Sequence, residues 1–144
     1  MGTEFQVTFD SADPGVHAAF WAGAVHYVQQ PPPPDFDSWD AALDAWGVPA
    51  EHRNDRAALV DPDGVGPRLF FQKVPEPKAA KNRVHLDLRA AAGVPPEGRA
   101  DALEAECTRL IAIGARRVQR LEADGVNGVC IVMQDPEGNE FCLD

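Results

Sequence analysis

Two four-residue segments, Asp61-Pro62-Asp63-Gly64 and Asp135-Pro136-Glu137-Gly138, constrain this chain more than any other feature. Each carries proline at its second position and glycine at its fourth, as a type I turn prefers. Each is preceded by the same order of patterns, a strand, a helix and further strands, and each is followed by one more strand. A shared order at similar spacing is the mark of an internal duplication. The chain is therefore expected to build one plan twice.

In the first half, residues 5–10 alternate, with Phe5, Val7 and Phe9 facing a core and Gln6, Thr8 and Asp10 opposite. Asp13-Pro14 starts a helix as N-cap and first helical residue, and Val16, Ala19, Phe20 and Gly23 keep helical spacing on one side. Tyr27 and Val28 begin a short strand that Pro31 to Pro34 cut off. Residues 35–46 read as an amphipathic helix with Phe36, Trp39, Leu43 and Trp46 on one face and Gly47 as its stop. That stripe suits core packing, with a lid over a pocket as the alternative. Strands at 57–60 and 68–74 flank the first turn.

The second half opens on a strand, residues 84–89, whose Val84, Leu86 and Leu88 share one face while His85, Asp87 and Arg89 share the other. A helix over 99–113 presents Leu103, Cys107, Leu110 and Ile111 as its stripe. Strands at 116–122 and 128–134 follow, and the second turn leads into a last strand from Asn139. Polarity places Glu140 and Cys142 of that strand on the wet face. It does the same for Arg68, Phe70 and Gln72 in the first half.

The fold class expected is α+β: paired βαβββ modules forming a curved mixed sheet around a central cavity, with helices outside. Residues 1–144 form a single domain, with module 1 at about 1–78 (helical insertion 35–56) and module 2 at about 79–144. The polar faces would line the cavity with Gln6, Thr8, Phe70, Gln72, His85, Asp87, Glu140 and Cys142. Acidic residues outnumber basic ones 23 to 13 and the net charge is −10, a field that repels nucleic acid and anionic membranes alike. Cys107, Cys130 and Cys142 are odd in number and stand apart, and no secretory leader pattern is seen, so a cytoplasmic setting is expected.

The segments that most narrow the reading are Ala12-Asp13-Pro14 with Phe20-Trp21, Val74-Pro75-Glu76-Pro77-Lys78 followed by Lys81-Asn82-Arg83-Val84-His85-Leu86-Asp87-Leu88, and Asp135-Pro136-Glu137-Gly138-Asn139-Glu140-Phe141-Cys142. Together they resemble the vicinal oxygen chelate superfamily, and within it the glyoxalase-like domain branch. The superfamily includes glyoxalase I, extradiol dioxygenases, fosfomycin resistance enzymes and bleomycin-binding proteins. The resemblance implies strand-borne metal ligands, usually His, Gln or Glu. Gln6 falls on the first ligand position, His85 on the third, and Cys142 on the fourth, where Glu is usual. Gln72 is the nearest polar candidate for the second. Hard divalent ions favour carboxylate oxygens, so no metal or other cofactor is expected. A metal that did bind would be zinc at Gln6, His85 and Cys142, with Asp87 or Glu140 as contributors the family does not use.

Three functions follow. A metal-independent binder would sequester a small molecule, with Phe70, Trp21, Trp39 and Trp46 as stacking area and the acidic surface steering a cationic guest. A lyase or isomerase would use His85 as general acid or base and Cys142 as nucleophile if His85 lowers its pKa. Asp87 would act on His85 through space, its side chain being too distant for direct contact. A scaffold would keep the fold without the chemistry. A homodimer suits all three.

Overall fold

A computed structural model describes residues 1–144. The chain divides into two compact units, Met1–Pro77 and Lys78–Asp144. The first contains β1 (Val7–Ser11), α1 (Pro14–Val25), β2 (Val28–Gln29), α2 (Trp39–Ala45), a 3₁₀ turn (Ala50–His52), β3 (Arg56–Val60) and β4 (Leu69–Lys73). The second contains β5 (Asp87–Leu88), α3 (Pro96–Ala112), β6 (Arg116–Leu121), β7 (Cys130–Gln134) and β8 (Glu140–Leu143).

The duplication holds at the level of topology. The first sheet runs β1-β4-β3-β2 and the second β5-β8-β7-β6. In each, the first strand lies parallel to the last, and the remaining pairs are antiparallel. It also holds inside the two turns. The Asp61 carboxylate accepts the N–H groups of Asp63 at 2.9 Å, Val65 at 3.1 Å and Gly66 at 2.7 Å. The Asp135 carboxylate accepts those of Glu137 at 2.9 Å and Asn139 at 3.0 Å. Gly64 and Gly138 take φ of 69° and 85°, a region that favours glycine. An aspartate that satisfies amide groups the ladder leaves over explains why the motif recurs. The α2 segment has no counterpart in the second unit.

α1 and α3 each cover the apolar face of their own sheet. In the first unit Phe20, Trp21, Ala18 and Ala24 of α1 are buried with Leu59, Leu69 and Phe71. Phe9 stacks on Phe71 with centroids 4.9 Å apart. His17 completes this cluster: it is fully buried, 5.0 Å from the Phe71 ring, and its Nδ1 lies 3.2 Å from Ser11 Oγ. In the second unit Leu103, Cys107 and Leu110 of α3 are buried with Ile131, Met133, Phe141 and Leu143.

Several expectations need correction. Phe5 and Val84 do not face a core; they are 71% and 81% exposed, because both lie outside the strand ladders. Val16, 58% exposed, is on the wrong side of α1, and His17 takes the inward place. The helix α2 starts at Trp39 rather than Asp35, since Ser38 caps it by accepting the Ala41 N–H at 3.1 Å. None of its stripe residues is buried, although Ala42 beside them is, and Trp46 is 53% exposed, so the stripe is not core. Ile111 of α3 is likewise exposed.

Candidate functional site

Two places gather the residues that carry chemistry, one in each unit. The first is the face of the β1-β4-β3 sheet that α1 leaves open. Thr8 stands opposite Phe70, Asp10 opposite Gln72, and Ala58 and Arg56 continue the two rows. Arg68 Nη1 donates to Gln6 Oε1 at 3.0 Å, Arg68 Nε donates to Gln30 Oε1 at 2.6 Å, and its guanidinium lies 5.1 Å from the Phe70 ring centroid. Gln6 Nε2 reaches Thr8 Oγ1 at 3.2 Å, and Gln72 Nε2 donates to Asp10 at 2.8 Å. Gln6 is thus engaged within its own sheet.

Beside this face, α2 builds a wall. Trp39 Nε1 donates to the Gln30 carbonyl at 2.7 Å, which anchors the helix to the end of β2. Arg53 fastens its other end through Asp44 at 2.5 Å and the Val48 carbonyl at 3.2 Å. Wall and sheet face enclose a cavity of about 490 Å³ lined by Trp39, Leu43, Trp46, Phe70, Arg56 and Arg68 among others. That volume is within the usual range for small-molecule sites. Sequence reasoning assigned Phe70 to a ligand cavity and read the tryptophan stripe as core packing, with a lid over a pocket as the alternative. The i, i+4, i+7 spacing of Trp39, Leu43 and Trp46 shows a shared face and not what covers it.

The second place lies in the other unit. His85, Asp87 and Cys142 bring one nitrogen, one oxygen and one sulfur within 4.8 Å of one another. They line a cavity of about 440 Å³ with Cys130, Arg89 and Asp144. The register explains the meeting: Asp87 is the parallel partner of Cys142, and His85 precedes it by two residues. His85 Nε2 stands 3.4 Å from Asp87 Oδ1, so the expected separation is corrected to an ion-pair distance. The thiol of Cys142 is pushed up to about 11, first by burial and then by the Asp87 charge. Burial also raises the Cys130 thiol. A thiol so raised stays protonated near neutrality, the reverse of the activation expected from His85.

Glu140, placed with this group by its polarity, has another task. Its carboxylate accepts the Asn82 N–H at 2.9 Å and pairs with Lys78 at 3.2 Å. Burial works against its charge, but the Asn82 N–H and Lys78 prevail, and its carboxyl sits below the ordinary range. It fixes the segment that leads into His85. The Lys78–Glu140 pair spans 62 positions of sequence, so no local pattern could reveal it.

The donor set is the test of whether a metal fits. Bonds of about 2.0–2.3 Å on a tetrahedral zinc put its ligand atoms about 3.3–3.8 Å apart. The His85, Asp87 and Cys142 atoms need only a small approach to reach that spacing. Imidazole, carboxylate and thiolate suit zinc better than a hard ion. His85, Asp87 and Cys142 fit zinc. A bound cation there would polarise a ligand oxygen. To hold it, His85 and Asp87 would each offer one ligand atom and the Cys142 thiol would have to give up its proton.

No helix is long and apolar enough to cross a membrane. Solved structures share the fold at low identity. A glyoxalase/bleomycin resistance protein/dioxygenase family enzyme from Burkholderia phytofirmans is 15% identical, with a TM-score of 0.60 over 96% of this chain and 94% of that one. A variant of the fosfomycin resistance protein FosX from Listeria monocytogenes, complexed with Mn(II), is 11% identical, with a TM-score of 0.62 over 99% and 89%. A glyoxalase-related enzyme from Fulvimarina pelagi is 14% identical, with a TM-score of 0.58 over 99% and 87%. No curated protein matches the sequence. The profile of the glyoxalase-like domain matches residues 6–143, nearly the whole chain, and the protein belongs to that family.

Proposed function

We propose that this glyoxalase-like protein binds a small molecule in the aromatic cavity of its first unit, without a four-ligand metal site. The observation that carries the reading is the cavity of about 490 Å³, in which Trp39, Trp46 and Phe70 supply ring area beside fixed hydrogen-bonding groups. Two features of α2 support it. Its tryptophans are kept out of the core, and both of its ends are anchored, so the wall stands ready before a guest arrives. The test is a thermal-shift screen with Trp39→Ala and Trp46→Ala as controls. A guest at a hundredfold its Kd stabilises the protein by about 2.7 kcal/mol, and either variant should remove most of that gain. Shifts that both variants leave intact would move the site elsewhere. A homodimer in the cytoplasm belongs to the same proposal, and the mass from light scattering checks the dimer alone.

A second reading, chemistry of the lyase or isomerase kind, is favoured by the meeting of His85, Asp87 and Cys142. Without a metal, His85 exchanges a proton with the substrate and Asp87 orients its ring; with zinc bound, His85, Asp87 and Cys142 would be its ligands instead. Zinc titration by calorimetry in two buffers of different ionisation heat should show about one proton released per ion, from the Cys142 thiol. Cys142→Ala and His85→Ala should each weaken binding at least tenfold. Equal binding by both variants would remove the zinc part of this reading.

A further inference from the structure

We infer that the guest of the first-unit cavity is a planar aromatic anion, an aryl or heteroaryl carboxylate whose rings lie against the tryptophans and whose charge meets Arg68 and Arg56. The inference rests on the binding reading above and specifies its ligand class. It departs from the cationic guest that the chain's overall charge suggests.

The sign of the lining is the first argument. Acids outnumber bases 23 to 13 over the whole chain, yet the cavity is lined by Arg53, Arg56 and Arg68 against the single carboxylate of Asp55. Asp55 Oδ2 is itself occupied by His52 Nδ1 at 2.9 Å. Arg53 is spent on Asp44 and the Val48 carbonyl. Two guanidinium groups remain. Arg56 makes no side-chain ion pair or hydrogen bond, and Arg68 has only neutral partners, the amide oxygens of Gln6 and Gln30.

Preorganisation is the second. The two amides and the Phe70 ring hold the Arg68 guanidinium at fixed distances without neutralising it. A charged donor held this way loses little freedom when an oxyanion arrives, and its fork matches a carboxylate.

Ring area is the third. Trp39 and Trp46 stand 6.4 Å apart at 71°, and Phe36 backs Trp46 at 5.6 Å and 80°. Edge-to-face support of this kind fixes an indole as a platform. A flat apolar guest buries one face there while its charged edge reaches the sheet.

Calorimetry with three probes of one ring system tests this: 2-naphthoate, 2-naphthalenemethanol and 2-naphthylmethylammonium, in wild type and in Arg56→Met, Arg68→Met and Trp39→Ala. The expected result is that naphthoate binds at least about tenfold tighter than the alcohol and the ammonium weakest, as charge-assisted bonds allow. Each arginine variant should narrow the naphthoate–alcohol gap by weakening naphthoate more than the alcohol. Arg56, being unpaired, can be replaced without disturbing the fold. Three equal affinities, or a preference for the ammonium, overturn the anionic class, and the cavity reading stands if Trp39→Ala weakens all three. A preference for naphthoate that survives both arginine variants overturns the assignment to these residues. Binding of none of the probes overturns the ligand class, while the thermal-shift screen decides the cavity reading separately.

Discussion

At Cys142 the raised thiol has a direct chemical readout. Burial first, and the Asp87 carboxylate second, hold its pKa at about 11 against an ordinary value of 9.0. Alkylation by iodoacetamide, followed peptide by peptide in a mass spectrometer, should be slow at pH 7 and climb toward pH 11. Asp87→Asn should shift that profile to lower pH without restoring 9.0, because the burial remains. A rate that saturates near pH 9 in the wild type would contradict the environment described here. What could be read beforehand was the side of the strand: Phe141 and Leu143 are apolar and buried, so Glu140 and Cys142 had to point the other way. The sign of the thiol shift was hidden. It depends on a carboxylate brought alongside by a parallel pairing across 55 positions, and on surfaces covered only after folding.

The elements differ in how plainly their limits were written. The start of α1 was legible because Asp13-Pro14 is a local signal. The Asp13 carboxylate accepts the Val16 N–H at 3.3 Å and Asn54 Nδ2 at 2.8 Å, while Asn54 Oδ1 accepts the Gly15 N–H at 2.9 Å. Asp13→Ala should cost about 1 kcal/mol in urea unfolding, as cap losses do. A neutral result would show that Asn54 caps the helix alone. The inward side of α1 was not legible, because the helix is apolar nearly all round and its periodicity carries no phase. For β5, alternation ran over six residues while only Asp87 and Leu88 join a ladder. An alternating pattern states which residues share a side, and says nothing about where a partner strand begins.

Over the whole molecule, acid is the condition that should separate folded from unfolded most sharply. Asp13 is lowered chiefly by Asn54, Asp61 by the Gly66 N–H, Glu104 by Arg117, and Asp124 by the Asn127 N–H. A carboxyl with a depressed folded pKa adds stability that is present above its ordinary value, 3.8 for Asp or 4.5 for Glu. That stability drains as pH falls through the folded value, since the unfolded chain takes up protons first. The urea midpoint should therefore decline from about pH 4.5 downward, and a flat midpoint to pH 3 would show these bonds to be energetically idle. The placing of β4 and β8 inside their sheets bears on how the protein is made. A ribosome delivers the neighbours on both sides first, leaving β1 and β3, and later β5 and β7, separated by a gap one strand wide. Until the final strand of each half emerges, those edges are open to any extended stranger. The newborn chain is thus most in need of a chaperone just before each half is complete.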